Sequence, residues 1–245
     1  MSVDYTGERE ALAAGCTQVC GVDEAGAGPL MGPVYAAAVI LPADCVIEGL
    51  DDSKKLTEKK REALFDVICE KAVAYSVASV DAREIDEIDI LNARMKAMQL
   101  AIDGLPVKAD FALIDGNRDH GTKYAVTTPH RTVIGGDGKS VSIAAASILA
   151  KVSRDRYVTG VLDKKYPQYQ FAKHKGYGTK LHYAMLDAYG PCEVHRLSFL
   201  KKWREKQCPR SRRGTGARRW SQITCVSAAI RSSRQVTAAV SGRST

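Results

Sequence analysis

Apolar residues along the chain fall into short runs of β-forming residues that alternate with longer stretches of helical period. Residues Gln18 to Val22 and Val34 to Leu41 read as strands, joined by the Gly/Pro-rich loop GAGPLMGP at 26–33. Thr57 stands before EKKREALFDVICEKA, where Ala63, Leu64, Val67 and Ile68 share one helical face, so a capped helix is expected there. Tyr75 to Val80 alternates as a strand does. Asp89 to Ile102 carries Leu91, Met95, Met98 and Ile102 at helical spacing.

The second half continues the alternation. FALI at 111–114 is a short buried-strand pattern ending on Asp115 and Gly116, and Arg131 to Ile134 is a weaker strand leading into GGDGKS. Val141 to Lys164 reads as a long helix whose Ala144, Ala145 and Ala146 allow close packing on a sheet. Tyr166 to Tyr177 is a polar, aromatic loop, Lys180 to Ala188 a helix, and GPCEVHRLSF closes the patterned region. Mixed strands and helices of this kind predict an α/β or α+β domain. The expected division is an N-terminal extension over 1–17, one catalytic domain over 18–205 and a tail over 206–245.

Composition sharpens that division. Of 245 residues, 45% are hydrophobic and 26% charged, as in ordinary soluble domains, and no run approaches the roughly 18–20 apolar residues of a membrane span. The first residues lack the basic start and apolar run of a secretory signal, so a cytoplasmic location and no membrane partner are expected. Seven cysteines, none in a CxxC pair, predict reduced thiols rather than a disulfide or zinc framework. The net charge is +8, but residues 206–245 hold nine Lys or Arg and no Asp or Glu, which leaves 8 − 9 = −1 for residues 1–205. Basicity therefore belongs to the tail, whose composition is that of a disordered segment able to add nonspecific phosphate affinity.

The chemistry lies in carboxylates. Asp23 and Glu24 fall where the first strand ends, Asp115 where another ends, and Asp137 in a glycine-rich turn. Asp before Gly is also an ordinary turn signal. Brought together by a sheet, however, four carboxylates repel one another unless cations fill the cluster. Two hard divalent ions about 4 Å apart on such ligands suit phosphoryl transfer. The glycines at 26, 28 and 32 do not make a dinucleotide fingerprint, because the third comes one residue late and a strand follows.

The blocks GVDEAGAGPLMGPVYAAAVILP, DDSKKLTEKKRE, ALIDGN, GGDGKSVSIAAASILAKVSRDR, HKGYGTKLHYAML and GPCEVHRLSF together resemble the ribonuclease HII family, from about Val19 to Phe199. The resemblance implies a ribonuclease H-like fold, a central mixed sheet flanked by helices with a helical C-terminal part. It implies an endonuclease that hydrolyses the RNA strand of RNA/DNA hybrids, and ribonucleotides embedded in duplex DNA, leaving 3′-hydroxyl and 5′-phosphate ends. Asp23, Glu24, Asp115 and Asp137 match the family's metal-binding catalytic acids, for Mg²⁺ or Mn²⁺, with Asp23 shared between two ions. Asp155, inside the long helix, competes for the fourth place and is read instead as an ion-paired residue.

Substrate contacts are implied in the same way. Gly26, Ala27 and Gly28 match a Gly-Arg-Gly element that reads a ribose 2′-hydroxyl through its backbone, with Ala27 where arginine is usual. Ser53, Lys54 and Lys55 match a block at the substrate backbone. His174, Lys175 and Lys180 lie near phosphates, and Tyr177 matches a tyrosine that stacks on a sugar. Gly135 stands where relatives often carry lysine, and His195 is assigned to packing. The Ala27 departure predicts retained hybrid cleavage with weakened incision at a single ribonucleotide, and Gly135 removes one positive charge near the metal site, which bears on metal or phosphate affinity. A monomer is expected. The competing readings are another two-metal nuclease on the same fold and a non-catalytic hybrid-binding relative.

Overall fold

The structure, a computed structural model, describes residues 3–207. The part of the expected tail from residue 208 onward, with Cys208 and Cys225, lies outside the described residues.

Five strands form one mixed sheet in the order β3-β2-β1-β4-β5: β1 Val19–Ala25, β2 Val34–Ile40, β3 Ala74–Val80, β4 Phe111–Asp115 and β5 His130–Val133. β1, β2 and β3 pair antiparallel, whereas β1, β4 and β5 run parallel. The interior of β1 and β2 is apolar on both faces because both faces are covered. On one face α5, Val141–Tyr157, lies across β1 and β2 with α2, Glu58–Lys71, beside it. Gly21 makes that approach possible, since a Cβ there would stand 2.1 Å from the Ser142 carbonyl carbon. The other face is covered by α4, Ile90–Asp103, which buries Met95, Met98, Ala101 and Ile102.

Local chemistry starts these helices where the sequence places them. Thr57 accepts a hydrogen bond from the Lys60 amide, Asp89 from Asn92 and Ser140 from Ile143. α5 is α-helical only to Tyr157; it continues through a π-turn at Val158–Leu162 into α6, Asp163–Lys165. The expected loop at 166–177 contains a 3₁₀ turn and a short helix α7, Phe171–His174, before α8, Lys180–Tyr189.

Besides α7, three helices have no counterpart in the sequence pattern. α1, Thr6–Ala13, lies in the segment taken for an extension, yet it packs on the domain: Glu8 is buried and accepts hydrogen bonds from the Ser140 and Ser142 hydroxyls. α3, Ala82–Ile88, and α9, Lys201–Gln207, are seven-residue helices too short to show a period. The five cysteines among the described residues are free thiols. Among those residues no helix is long and apolar enough to cross a membrane.

Candidate active site

Parallel pairing brings the acids together. Val22 of β1 sits opposite Ile114 of β4, so the register carries Asp23 and Asp115 to the same edge one residue later. Val133 of β5 pairs with Asp115, and the chain then turns through Gly135, at φ +65°, into the 3₁₀ turn holding Asp137. The Gly136 amide donates to Asp115 Oδ1 at 2.7 Å and ties that turn to the strand end. One carboxylate oxygen each from Asp23, Asp115 and Asp137 lies within 4.8 Å of the others, and Asp23 and Asp137 are only 6% and 5% exposed.

Three like charges so close and so dry are unfavourable. Burial, then the charges of Glu24 and Asp115, holds the Asp23 carboxyl well above the usual carboxylate range. Asp115 is raised by burial and by Asp137. Glu24 is raised by burial although Arg94 opposes the shift.

Glu24 stands apart from the other three. Its Oε1 is 2.6 Å from Arg94 Nη2, and its Oε2 is buried with no partner. A donor set of hard oxygens with an unpaired carboxylate oxygen beside it fits divalent cations such as Mg²⁺ or Mn²⁺. Asp155 is ion-paired as expected, to Lys151 at 2.9 Å, and it is buried.

The loop at 26–33 is shaped from beneath. Arg196, fully buried, donates to four carbonyls: Gly26 at 2.7 Å, Ala27 at 3.0 Å, Pro29 at 2.9 Å and Gly32 at 2.9 Å. Gly26 takes φ +91°, and a Cβ there would lie 2.2 Å from Nε of the buried Arg154, so only glycine suits. The amides of Ala27 and Gly28 have no protein acceptor among the described residues. Sequence reasoning passed over Arg196; an arginine beside the apolar Leu197–Leu200 segment, with no acid next to it in sequence, was the available signal.

The remaining expected contacts divide. Lys54 reaches the cluster, with its Nζ 2.8 Å from Asp137 Oδ2 and its side chain 77% exposed. Lys55 pairs with Asp51, and Ser53 is buried in the loop that Arg61 pins through the Ser53 and Leu56 carbonyls. Tyr177 is 44% exposed, with the Arg154 guanidinium 6.0 Å from its ring centre. Lys175 lies 3.5 Å from Glu58, and Lys180 is exposed at the start of α8.

His174 is the correction: it does not face a substrate. It is buried, its Nε2 donates to the Tyr169 carbonyl, and its Nδ1 accepts from the Gly176 amide. A histidine beside lysines in a loop looked basic and exposed; packing against Phe171 and His182 makes it a bracket for the Tyr177 turn.

The mixed sheet with acids at the edge of its parallel strands defines a ribonuclease H-like protein, and solved structures agree. The ribonuclease H2 of Pyrococcus horikoshii superposes with a TM-score of 0.64 at 27% identity, over 78% of this chain and 98% of that one. The ribonuclease HII in a complex with PCNA from Archaeoglobus fulgidus gives 0.61 at 25% identity, over 74% and 94%. The family model described as Ribonuclease HII matches residues 20–202. A ribonuclease HII of Caldicellulosiruptor bescii is 55% identical over 194 residues, 79% of this chain and 92% of that protein. The chain belongs to the ribonuclease HII family, and its activity is that of an RNA-strand endonuclease, a phosphodiester hydrolase.

Proposed function

We propose that the chain cleaves the RNA strand of RNA/DNA hybrids and ribonucleotides embedded in duplex DNA, with Asp23, Glu24, Asp115 and Asp137 holding two Mg²⁺ or Mn²⁺ ions. The convergence of three carboxylates, with Asp23 and Asp137 buried and Asp115 half-buried, where β1 and β4 end beside the 3₁₀ turn carries this reading. When bound, such ions activate the attacking water and compensate charge on the leaving oxygen, giving 3′-hydroxyl and 5′-phosphate ends.

The chain's own residues do the rest. Asp23, buried and facing the charges of Glu24, Asp115 and Asp137, would be the acid that serves both ions. Lys54, exposed along most of its length, can exchange Asp137 for a substrate phosphate. The free amides of Ala27 and Gly28 offer donors to a ribose 2′-hydroxyl, which DNA lacks. Tyr177, half-exposed above a buried guanidinium, offers a face to the neighbouring sugar. No serine or cysteine is needed as a nucleophile.

Cleavage of a long hybrid, of a duplex holding one ribonucleotide and of all-DNA duplex, each with Mg²⁺, with Mn²⁺ and with chelator, tests the reading. Metal-dependent cutting of the first two but not the third is expected. Cutting of the DNA duplex would point to a different two-metal nuclease, and binding of the hybrid without cutting to a non-catalytic relative.

A further inference from the structure

Two basic side chains already hold two of the four acids, and they are not equivalent. Lys54 comes from a loop and is 77% exposed, so it can leave Asp137 at little cost. Arg94 comes from the middle of α4 between Ala93 and Met95, both fully buried; its side chain is 27% exposed and it faces Glu24 at 2.6 Å. The pair is incomplete on both sides, since Glu24 Oε2 and Arg94 Nε are buried without partners. A partly buried ion pair that leaves buried polar atoms unpaired is a poor structural staple. Glu24 is therefore held ready for another ligand while Arg94 keeps its charge balanced.

Charge counting shows the consequence. Four carboxylates with Arg94 and Lys54 sum to −4 + 2 = −2. One divalent ion brings the site to zero, and a second finds no net attraction. Without Arg94 the count is −4 + 1 = −3, and a second ion still meets a site at −1.

We propose that Arg94 is an internal counter-ion that competes with a divalent cation for Glu24, and so sets the affinity of the metal position that requires Glu24. This rests on the reading of the four acids as a metal site. Arg94 is a positioning residue in this account, acting on the ion through Glu24.

Calorimetric titration of Mn²⁺ into the full chain without substrate tests it, with thermal melts to establish folding. Wild type should bind one ion more tightly than the next. Arg94→Met should tighten the weaker step by about tenfold, as removal of one nearby charge in a partly buried site implies. Arg94→Lys, which keeps the charge, should stay within about threefold of wild type. In an Glu24→Gln background the Arg94→Met gain should vanish, because the competition is for Glu24. If Arg94→Met does not fold, Arg94→Gln takes its place in the same titrations. Unchanged or weaker binding in the neutral variant overturns the inference, as does a gain that persists without Glu24. Absence of any Mn²⁺ binding by wild type overturns the metal-site reading and the inference with it.

Discussion

Two clusters of buried titratable groups in the molecule are treated oppositely. At the edge of β1 and β4, three carboxylates crowd together with their charge incompletely balanced. Behind the Tyr177 turn, three histidines are buried with every ring nitrogen engaged. His182 Nδ1 donates to the Tyr177 carbonyl, so its Nε2 accepts from His195 Nε2, and His195 Nδ1 accepts from the Cys192 amide. With His174 bonded at both nitrogens, all three rings are neutral and satisfied. The difference teaches where function sits: the histidines fix a surface in place, while the acids keep unspent electrostatic potential that only a cation can relieve.

The sharpest way to break this comparison is Asp23→Asn. Hydrolysis of a hybrid should fall by on the order of a thousandfold or more. The metal-free protein should at the same time melt higher at pH 8, by roughly 2–4 °C for each kcal/mol of repulsion removed. Lost activity with a lowered melting point would make Asp23 a structural residue.

Next in size is His182→Phe, which leaves the Nε2 proton of His195 buried without an acceptor. A cost of about 1–3 kcal/mol is expected, read as a lower denaturant midpoint. Activity per folded molecule should change far less than in Asp23→Asn. A loss comparable to that of Asp23→Asn would place the histidine bracket within the chemistry.

Gly26→Ala forces a side chain into φ +91° against Arg154, at about 1–3 kcal/mol of strain. Cleavage at a single embedded ribonucleotide should drop more than cleavage of a long hybrid. Ala27→Arg acts in the opposite direction and more gently, raising single-ribonucleotide cleavage by several-fold, on the order of one added charge-assisted hydrogen bond. Equal effects on both substrates would remove this loop from sugar recognition.

A change of pH alone, with no substitution, also separates the two clusters. Burial pushes His182 down to about 4 and His195 to about 3 from an ordinary 6.5, so the folded state binds fewer protons than the unfolded one between those values. Their contribution to stability is complete above 6.5 and is lost as pH falls towards 4. Asp23 has the reverse sign: its raised folded value means that metal-free stability falls as pH rises above the ordinary carboxylate value of 3.8. Added Mn²⁺ should cancel the second slope and leave the first, which melting curves between pH 4 and 8 will show.

What sequence determined was local. β1, β2, α2 and α4 were legible because their period, caps and turn glycines act within a few residues. The four acids were visible as strand-end and turn carboxylates, and family motifs singled them out. α1 was hidden because its reason to fold is Glu8 meeting Ser140 and Ser142, more than 130 residues away in sequence. His174 was misread because burial, which decides whether a histidine faces water or a carbonyl, is not a local property. Arg94 and Arg196 gain their meaning only from Glu24 and from four loop carbonyls delivered by other elements. Sequence thus specified which groups carry charge. Only the tertiary structure decided which charges are buried together and which are paired, because Coulomb energy depends on distance and solvent, and both are set by packing.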